Sequence, residues 1–498
     1  MAHIQCFFIN FASNGENTQH TLLYSTYRKS KSKHKKDMKK ELIILACLCS
    51  QLSASAQGIS SQMLTRFAQA NKLTGSEIAI KNALAAGPVS GMALNQDNMV
   101  EQDTYFSHSV PSKGITDQKS SGRCWLFTGM NVLRAKMIKE QNLPSGIEFS
   151  QNYLFFYDQL EKSNLFLQAI IDTRNKPMDD QTVIWLFQNP LSDGGTFTGV
   201  ADLVAKYGIV PKGVMPETYT SNNTSQFTTF LKQKLREDAL ALRADKKANS
   251  KTLQAQKEKY LSEIYHMLAL GLGTPVTEFT WAPKDSNGRT VYPPKKYTPR
   301  SFYEEFINLD LQNDYIMLMN DPTRDYWKTY EIQYDRHTYD GHNWLYLNVP
   351  MEDIKEAAIA SIKDSTMMYF SCDVVKYLDR SRGIADLANY NYGEIFGTKF
   401  GMNKAQRIQS FDSGSTHAMT LKAVDLDENG KPIKWEVENS WGASSGHRGH
   451  IIMTDEWFDN YMFRLVINKK YASEKILKAS QQKPILLPCW DPMFGSEE

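Results

Sequence analysis

The sequence is short of long apolar runs. Across 498 residues no stretch of eighteen or more uncharged apolar side chains occurs, which excludes an ordinary membrane-spanning helix. Cysteine is scarce too, six in all, too few for a disulfide-stapled scaffold. Charge of one sign is nearly absent: 57 Lys+Arg stand against 55 Asp+Glu, a net of +2, so no obligate nucleic-acid or anionic-membrane partner is indicated. Even that excess sits at the start, because residues 1–56 hold eight basic and three acidic side chains and leave 49 against 52, a net of −3, for the rest. Phosphate-binding glycine loops are missing, since Gly271 and Gly273 lack the remainder of a dinucleotide motif. His447 and His450 have an H-x-x-H spacing but no neighbouring Cys or carboxylate pair. No metal and no other cofactor is therefore expected. With 41% hydrophobic and 22% charged residues and no internal repeat, collagen-like, coiled-coil and disordered classes are excluded.

What is present begins at Met38, where a basic start (Lys39, Lys40) leads into a short apolar stretch, 42–52, and then Ala54-Ser55-Ala56 before Gln57. That order reads as a secretory signal over 38–56, with 1–37 as an upstream start or disordered leader. The protein is then exported, to a periplasm or the medium; the alternative is a cytoplasmic protein with a frayed N-terminus. Removing Cys6, Cys47 and Cys49 with the signal leaves Cys124, Cys372 and Cys489. An odd count leaves at least one thiol free or paired between chains.

The rest divides into 57–217, an N-terminal segment with a mainly helical part; 218–345, a helical insertion and irregular region; 346–470, a β-rich part; and 471–498, a C-terminal arm. From Cys124 an apolar run to Ile138, broken only at Gly129, predicts a buried helix opening at or just before the cysteine. Residues 150–217 read as short helices alternating with loops. Leu231, Leu235 and Leu242, then Leu253, Ile264 and Leu268, predict an αα-hairpin, while 275–345 reads as irregular or edge-strand structure. Beyond 345 a helix is expected near 352–364 and strands near 367–372, 417–424, 434–439 and 450–453. Helices first and strands later argue for α+β. The stretch KPILLPCWDPM (483–493) is too rich in proline for a helix and too apolar for a free tail.

Cys124 at a helix N-terminus is the nucleophile candidate, because the thiolate is the attacking species and that end favours an anion. The dipole contributes only about 0.3–1 kcal/mol. A histidine must complete the activation, in a thiolate–imidazolium ion pair. His417 opens a strand that a turn near 428–430 folds back on itself, so Asn439 is expected beside it as the residue that orients the ring. Trp441 then shields that bond from water. Gln118, across a Ser-Ser-Gly turn, and the Cys124 N–H are candidate oxyanion donors. Taken singly each has an ordinary reading: a buried small thiol, a turn residue, polar hairpin groups.

Together they resemble the catalytic segments of papain-like cysteine peptidases: DQKSSGRCWLF (117–127), STHAMT (415–420) and ENSWG (438–442). SQNYLFFYD (150–158), DGG (193–195), KYGIVPK (206–212), SCDV (371–374) and LPCWDPM (487–493) are similar to the bleomycin hydrolase/aminopeptidase C branch. The resemblance runs from about residue 60 to the end and is weakest over 218–345. It implies a papain-like two-subdomain fold, helical on one side and antiparallel β-rich on the other, with a helical insertion. It implies a cysteine aminopeptidase acting on peptides, with Cys124 as nucleophile, His417 as base and then acid, Asn439 orienting, Gln118 donating to the oxyanion, and Gly194 and Gly195 as the substrate-binding edge that pairs with an extended substrate. Six subunits form a barrel in that branch, and the arm lies in each cleft with its terminal carboxylate, here Glu498, meeting the substrate amine. Two departures stand out: the ending FGSEE (494–498) is bulkier and more acidic than is usual, and relatives are typically cytosolic. The competing readings are an inactive scaffold on the same fold, and an acyltransferase, which would normally place Asp behind the histidine.

Overall fold

The computed structural model describes residues 58–99, 103–285 and 287–493, in two compact units that meet in sequence at Pro88 and Val89. The leader at 1–37, the signal at 38–56 and Glu498 lie outside the described residues. In the first unit, helices α1 (Ser61–Ala70) and α2 (Gly75–Ala86) each begin at a side-chain cap, Ser60 accepting from the Met63 N–H at 3.2 Å and Thr74 forming a reciprocal box with Glu77.

In the second unit the helical part comprises α3 (Cys124–Glu140), α4 (Gln151–Asp172), α5 (Phe197–Tyr207), α6 (Thr224–Ala244) and α7 (Ser250–Leu272). Helix α3 is buried on every side from Trp125 to Met130, as its unbroken apolar run requires. The expected hairpin is α6 with α7, which bury Leu231, Leu235 and Leu242, and Leu253, Ile264 and Leu268, in one core with α4. The expectation of short helices over 150–217 needs correction: α4 is a single helix of 22 residues. Ser150 caps its start, accepting from Tyr153 N–H at 3.0 Å, and nothing from 151 to 172 is Gly or Pro.

Twelve strands form one sheet: β1 (His108–Ser109), β2 (Tyr315–Met319), β3 (Lys328–Ile332), β4 (Leu345–Asn348), β5 (Met368–Cys372), β6 (Leu378–Asp379), β7 (Ile384–Ala385), β8 (His417–Leu426), β9 (Pro432–Glu438), β10 (His450–Thr454), β11 (Met462–Asn468) and β12 (Ile485–Leu487). Their order is β12-β3-β4-β2-β11-β5-β8-β9-β10-β7-β6, with β1 on β8. The sequence reading of 275–345 holds for Phe279–Trp281 and Lys295–Tyr297, which pair as a separate two-stranded ribbon, and fails beyond it. β2 lies inside the sheet, antiparallel to β11 and parallel to β4. Its five residues, Tyr315 to Met319, sit among loops rich in Pro, Asp and Tyr, and their main partner lies about 150 residues further on, beyond the reach of local pattern. On β5 and β8 successive side chains serve opposite cores: Tyr369 and Ala418 join the helical one, while Phe370 and Met419 join the one covered by the helix Met351–Lys363. Among the described residues no helix is long and apolar enough to cross a membrane.

Candidate active site

Cys124 is the first residue of α3, after Arg123 as N-cap, and no side chain caps that end. The Cys124 N–H has no acceptor among the described residues. Its half-buried thiol is pushed above the ordinary range, chiefly by burial and secondarily by the Asp193 charge. N–H groups of Ala418 and Trp125 hydrogen-bonded to the sulfur, and the Arg464 guanidinium, pull the other way. Ala418 follows His417, so the helix start and the start of β8 converge on the sulfur.

His417 Nε2 lies 2.8 Å from Asn439 Oδ1, and the Ser440 N–H donates to the same oxygen at 2.7 Å. Two donors on one atom fix the amide's orientation and assign the ring proton to Nε2, which leaves Nδ1 as the basic nitrogen. The ladder between β8 and β9 ends at Thr420↔Glu438, so the contact with Asn439 forms just past the paired strands, beside the hairpin position expected from the turn. Trp441 covers the pair, its ring centroid 4.9 Å from that of His417, with Arg380 stacked over the indole at 5.0 Å. Burial, with a smaller contribution from Arg380, lowers the His417 pKa to about 4, against the opposing effect of the Asn439 bond. Burial thus disfavours the charged form of each group taken by itself, and the mutual attraction of thiolate and imidazolium is what must offset it in the ion pair expected from sequence. Each group loses water on burial, and at the sulfur the helix N-terminus and the N–H groups of Ala418 and Trp125 offset only part of that loss.

Gln118 is locked on three sides. Its N–H donates to Ser440 O at 2.8 Å, its Oε1 accepts from Ser440 Oγ at 2.6 Å, and its Nε2 donates to Ser121 O at 2.6 Å. An amide nitrogen carries two hydrogens, so one donor remains. The link to Ser440 ties Gln118 to the Asn439 segment. Asp193, which the sequence offered only as part of a tight turn, holds the nucleophile loop: its Oδ2 accepts from Gly122 N–H at 2.7 Å and its carbonyl from Trp125 Nε1 at 2.9 Å. A Cβ at position 122 would stand 2.3 Å from Asp193 Oδ1, so a larger residue there must push that carboxylate off the loop.

Gly194 and Gly195 edge a cavity of about 420 Å³, with Gly195 lying against the Trp125 ring; the cavity's other walls include Trp185, Tyr334, Asp335 and the arm residues Cys489 and Trp490. Among the described residues neither the N–H nor the C=O of Gly195 has a hydrogen-bond partner. The arm reaches this cavity by pairing β12 with β3, in parallel, and by an ion pair of Asp491 with Arg324. Glu498 is outside the described residues. His447 and His450 pair through their backbones, and His450 Nε2 meets Ser112 Oγ at 2.7 Å. Sequence reading missed Ser440, although it lies inside the quoted ENSWG segment, and it missed Arg380, Lys162 and His337, for which no local signal exists.

The profile of the Peptidase C1-like family matches residues 58–494. Human bleomycin hydrolase is 37% identical over 458 residues, which cover 89% of this chain and all of that protein. Aminopeptidase C of Lactobacillus delbrueckii subsp. lactis is 38% identical over 419 residues, covering 83% of this chain and 92% of that one. The crystal structure of PepW from Lactobacillus rhamnosis HN001 superposes with a TM-score of 0.84 at 35% identity, covering 88% of this chain and 99% of the other. A family match over most of the chain, kept up at more than a third identity along nearly the full length of these relatives and carried by the same papain-like fold, means that this chain belongs to the Peptidase C1-like family, in its bleomycin hydrolase and aminopeptidase C branch.

Proposed function

We propose that this cysteine-type aminopeptidase removes N-terminal residues from peptides through an acyl-enzyme formed on Cys124. His417 Nδ1 takes the thiol proton as the sulfur attacks the carbonyl carbon, a transfer that leaves the net charge of the pair unchanged and so avoids burying one isolated ion. The same imidazolium returns the proton to the leaving amine, and water then hydrolyses the thioester with His417 again as base. Asn439 holds the ring in the tautomer this needs. The Cys124 N–H and the remaining Gln118 amide hydrogen receive the oxyanion. The observation that carries the reading is the 2.8 Å contact of His417 with Asn439, made beside an N–H to Cys124 Sγ one residue further on.

Gly195 offers its unpaired N–H and C=O to an extended strand. In the aminopeptidase reading the extended substrate pairs with that edge, and the arm, whose Cys489 and Trp490 line the cavity Gly195 edges, carries the Glu498 carboxylate to the substrate amine. An arm there closes the cleft on the amino side of the scissile bond. Titration with an epoxide thiol inhibitor, and turnover of one peptide with free and acetylated amines, test the proposal together. Stoichiometric loss of the Cys124 thiol and cleavage of the free form alone are expected; an unlabelled Cys124 would leave the inactive-scaffold reading standing. Six subunits in a barrel go with the same reading, and light scattering checks this. Export follows from the signal at 38–56, supported by a family match that begins at residue 58, beside Gln57.

A further inference from the structure

Behind the Gly194–Gly195 edge lies a buried charged cluster that the chemistry above does not use. Asp158 is fully buried on α4 and bridges two groups, Lys162 Nζ at 3.0 Å and His337 Nδ1 at 2.5 Å. Lys162, one turn along, donates to the carbonyl oxygens of Ser192 at 3.1 Å and Gly194 at 2.6 Å, and stands over the Trp125 ring at 5.4 Å. The buried His337 accepts from the Thr196 N–H at 3.4 Å through Nε2, and its ring centroid lies 4.6 Å from that of Trp125. The tautomer is therefore fixed, Nδ1–H to the carboxylate and Nε2 to the amide. A Cβ at Gly195 would fall 2.2 Å from His337 Cε1 and 2.9 Å from Trp125 Cδ2. One carboxylate thus holds the segment on both sides of Gly195, by its carbonyls before and its N–H after, and Gly195 is the residue whose own N–H and C=O stay open.

We infer that Lys162 and His337, joined through Asp158, are positioning residues that set the Gly195 edge for whatever extended strand lies on the amino side of the scissile bond, arm or substrate. The inference rests on the proposed function above. A flexible loop carrying two adjacent glycines would otherwise have to be ordered at each binding event, at a cost in affinity rather than in the chemical step.

The test uses the full-length protein with an aminoacyl fluorogenic amide, free and amino-capped with a dipeptide, and compares wild type with K162M, K162R and the double variant D158N/K162M. The double variant removes both charges, so that no lone carboxylate is left buried if K162M folds poorly. For whichever substrate the wild type cleaves, K162M and the double variant should raise KM about tenfold with kcat within twofold, K162R should recover most of the loss, and alkylation of Cys124 by iodoacetamide should keep its rate within twofold. An unchanged KM in a folded variant, or kcat and alkylation falling together with KM intact, would overturn the inference. Failure of the wild type to cleave either substrate, or of Cys124 to be alkylated, would instead refute the proposed function.

Discussion

Replacing Asn439 by Asp tests the pair at the centre of the site, because it swaps one amide nitrogen for oxygen and keeps the acceptor that both His417 Nε2 and the Ser440 N–H use. The native His417 titrates at about 4, against 6.5 for the free side chain. Between those values the unfolded chain binds the proton and the folded one does not, so native stability falls as pH drops from 6.5 and the loss is complete near 4. At about 1.4 kcal/mol per unit this amounts to about 3.5 kcal/mol. A carboxylate in place of the amide attracts the imidazolium by about 4 kcal/mol at 4 Å and an effective dielectric of 20, close to three units. Its own burial takes back part of that, so the histidine should rise by about 1–3 units. The assays are kcat/KM against pH on a free-amine aminoacyl amide, and urea melts at pH 4.5 and pH 7. The acid limb of the wild type should lie near 4 and that of N439D about 1–3 units higher, with the wild type losing stability between the two pH values and N439D losing less. A wild-type limb near 6.5 that N439D leaves in place would refute the argument, since neither the burial of His417 nor its contact with Asn439 would then govern the base.

Other substitutions probe the remaining parts. Q118A should lower kcat about a hundred- to a thousandfold with KM little changed, as expected for a donor used in the transition state, and steady-state kinetics will decide. G195A must displace His337 or Trp125, and should lower stability by about 1–3 kcal/mol in a urea titration. D491N weakens the tie of the arm to Arg324 and should raise the turnover of acetylated relative to free peptide; an unchanged ratio would detach the arm from exopeptidase selection. N-terminal sequencing of protein recovered from an exporting host should read Gln57, and any earlier residue contradicts the signal at 38–56.

Much of this molecule was legible in one dimension. Helix α3, the α6–α7 hairpin and strands β5, β8, β9 and β10 follow from apolar spacing and breakers, because each buries a face that local periodicity already marks. The candidate catalytic residues were legible for a similar reason: Gln118 and Cys124 lie in one short segment, and His417 and Asn439 share one hairpin, whose geometry brings that pair together. What tertiary structure alone decided is everything assembled from distant segments. β2 becomes an interior strand only because β11 and β4 flank it, and the arm becomes a wall of the cleft only because β3 leaves an edge for β12. The burial that raises the Cys124 thiol and lowers His417 is likewise a product of the fold, and no residue pattern reports a lost hydration shell. Lys162, Asp158 and His337 meet across 179 residues of sequence, through a carboxylate whose burial the fold alone imposes.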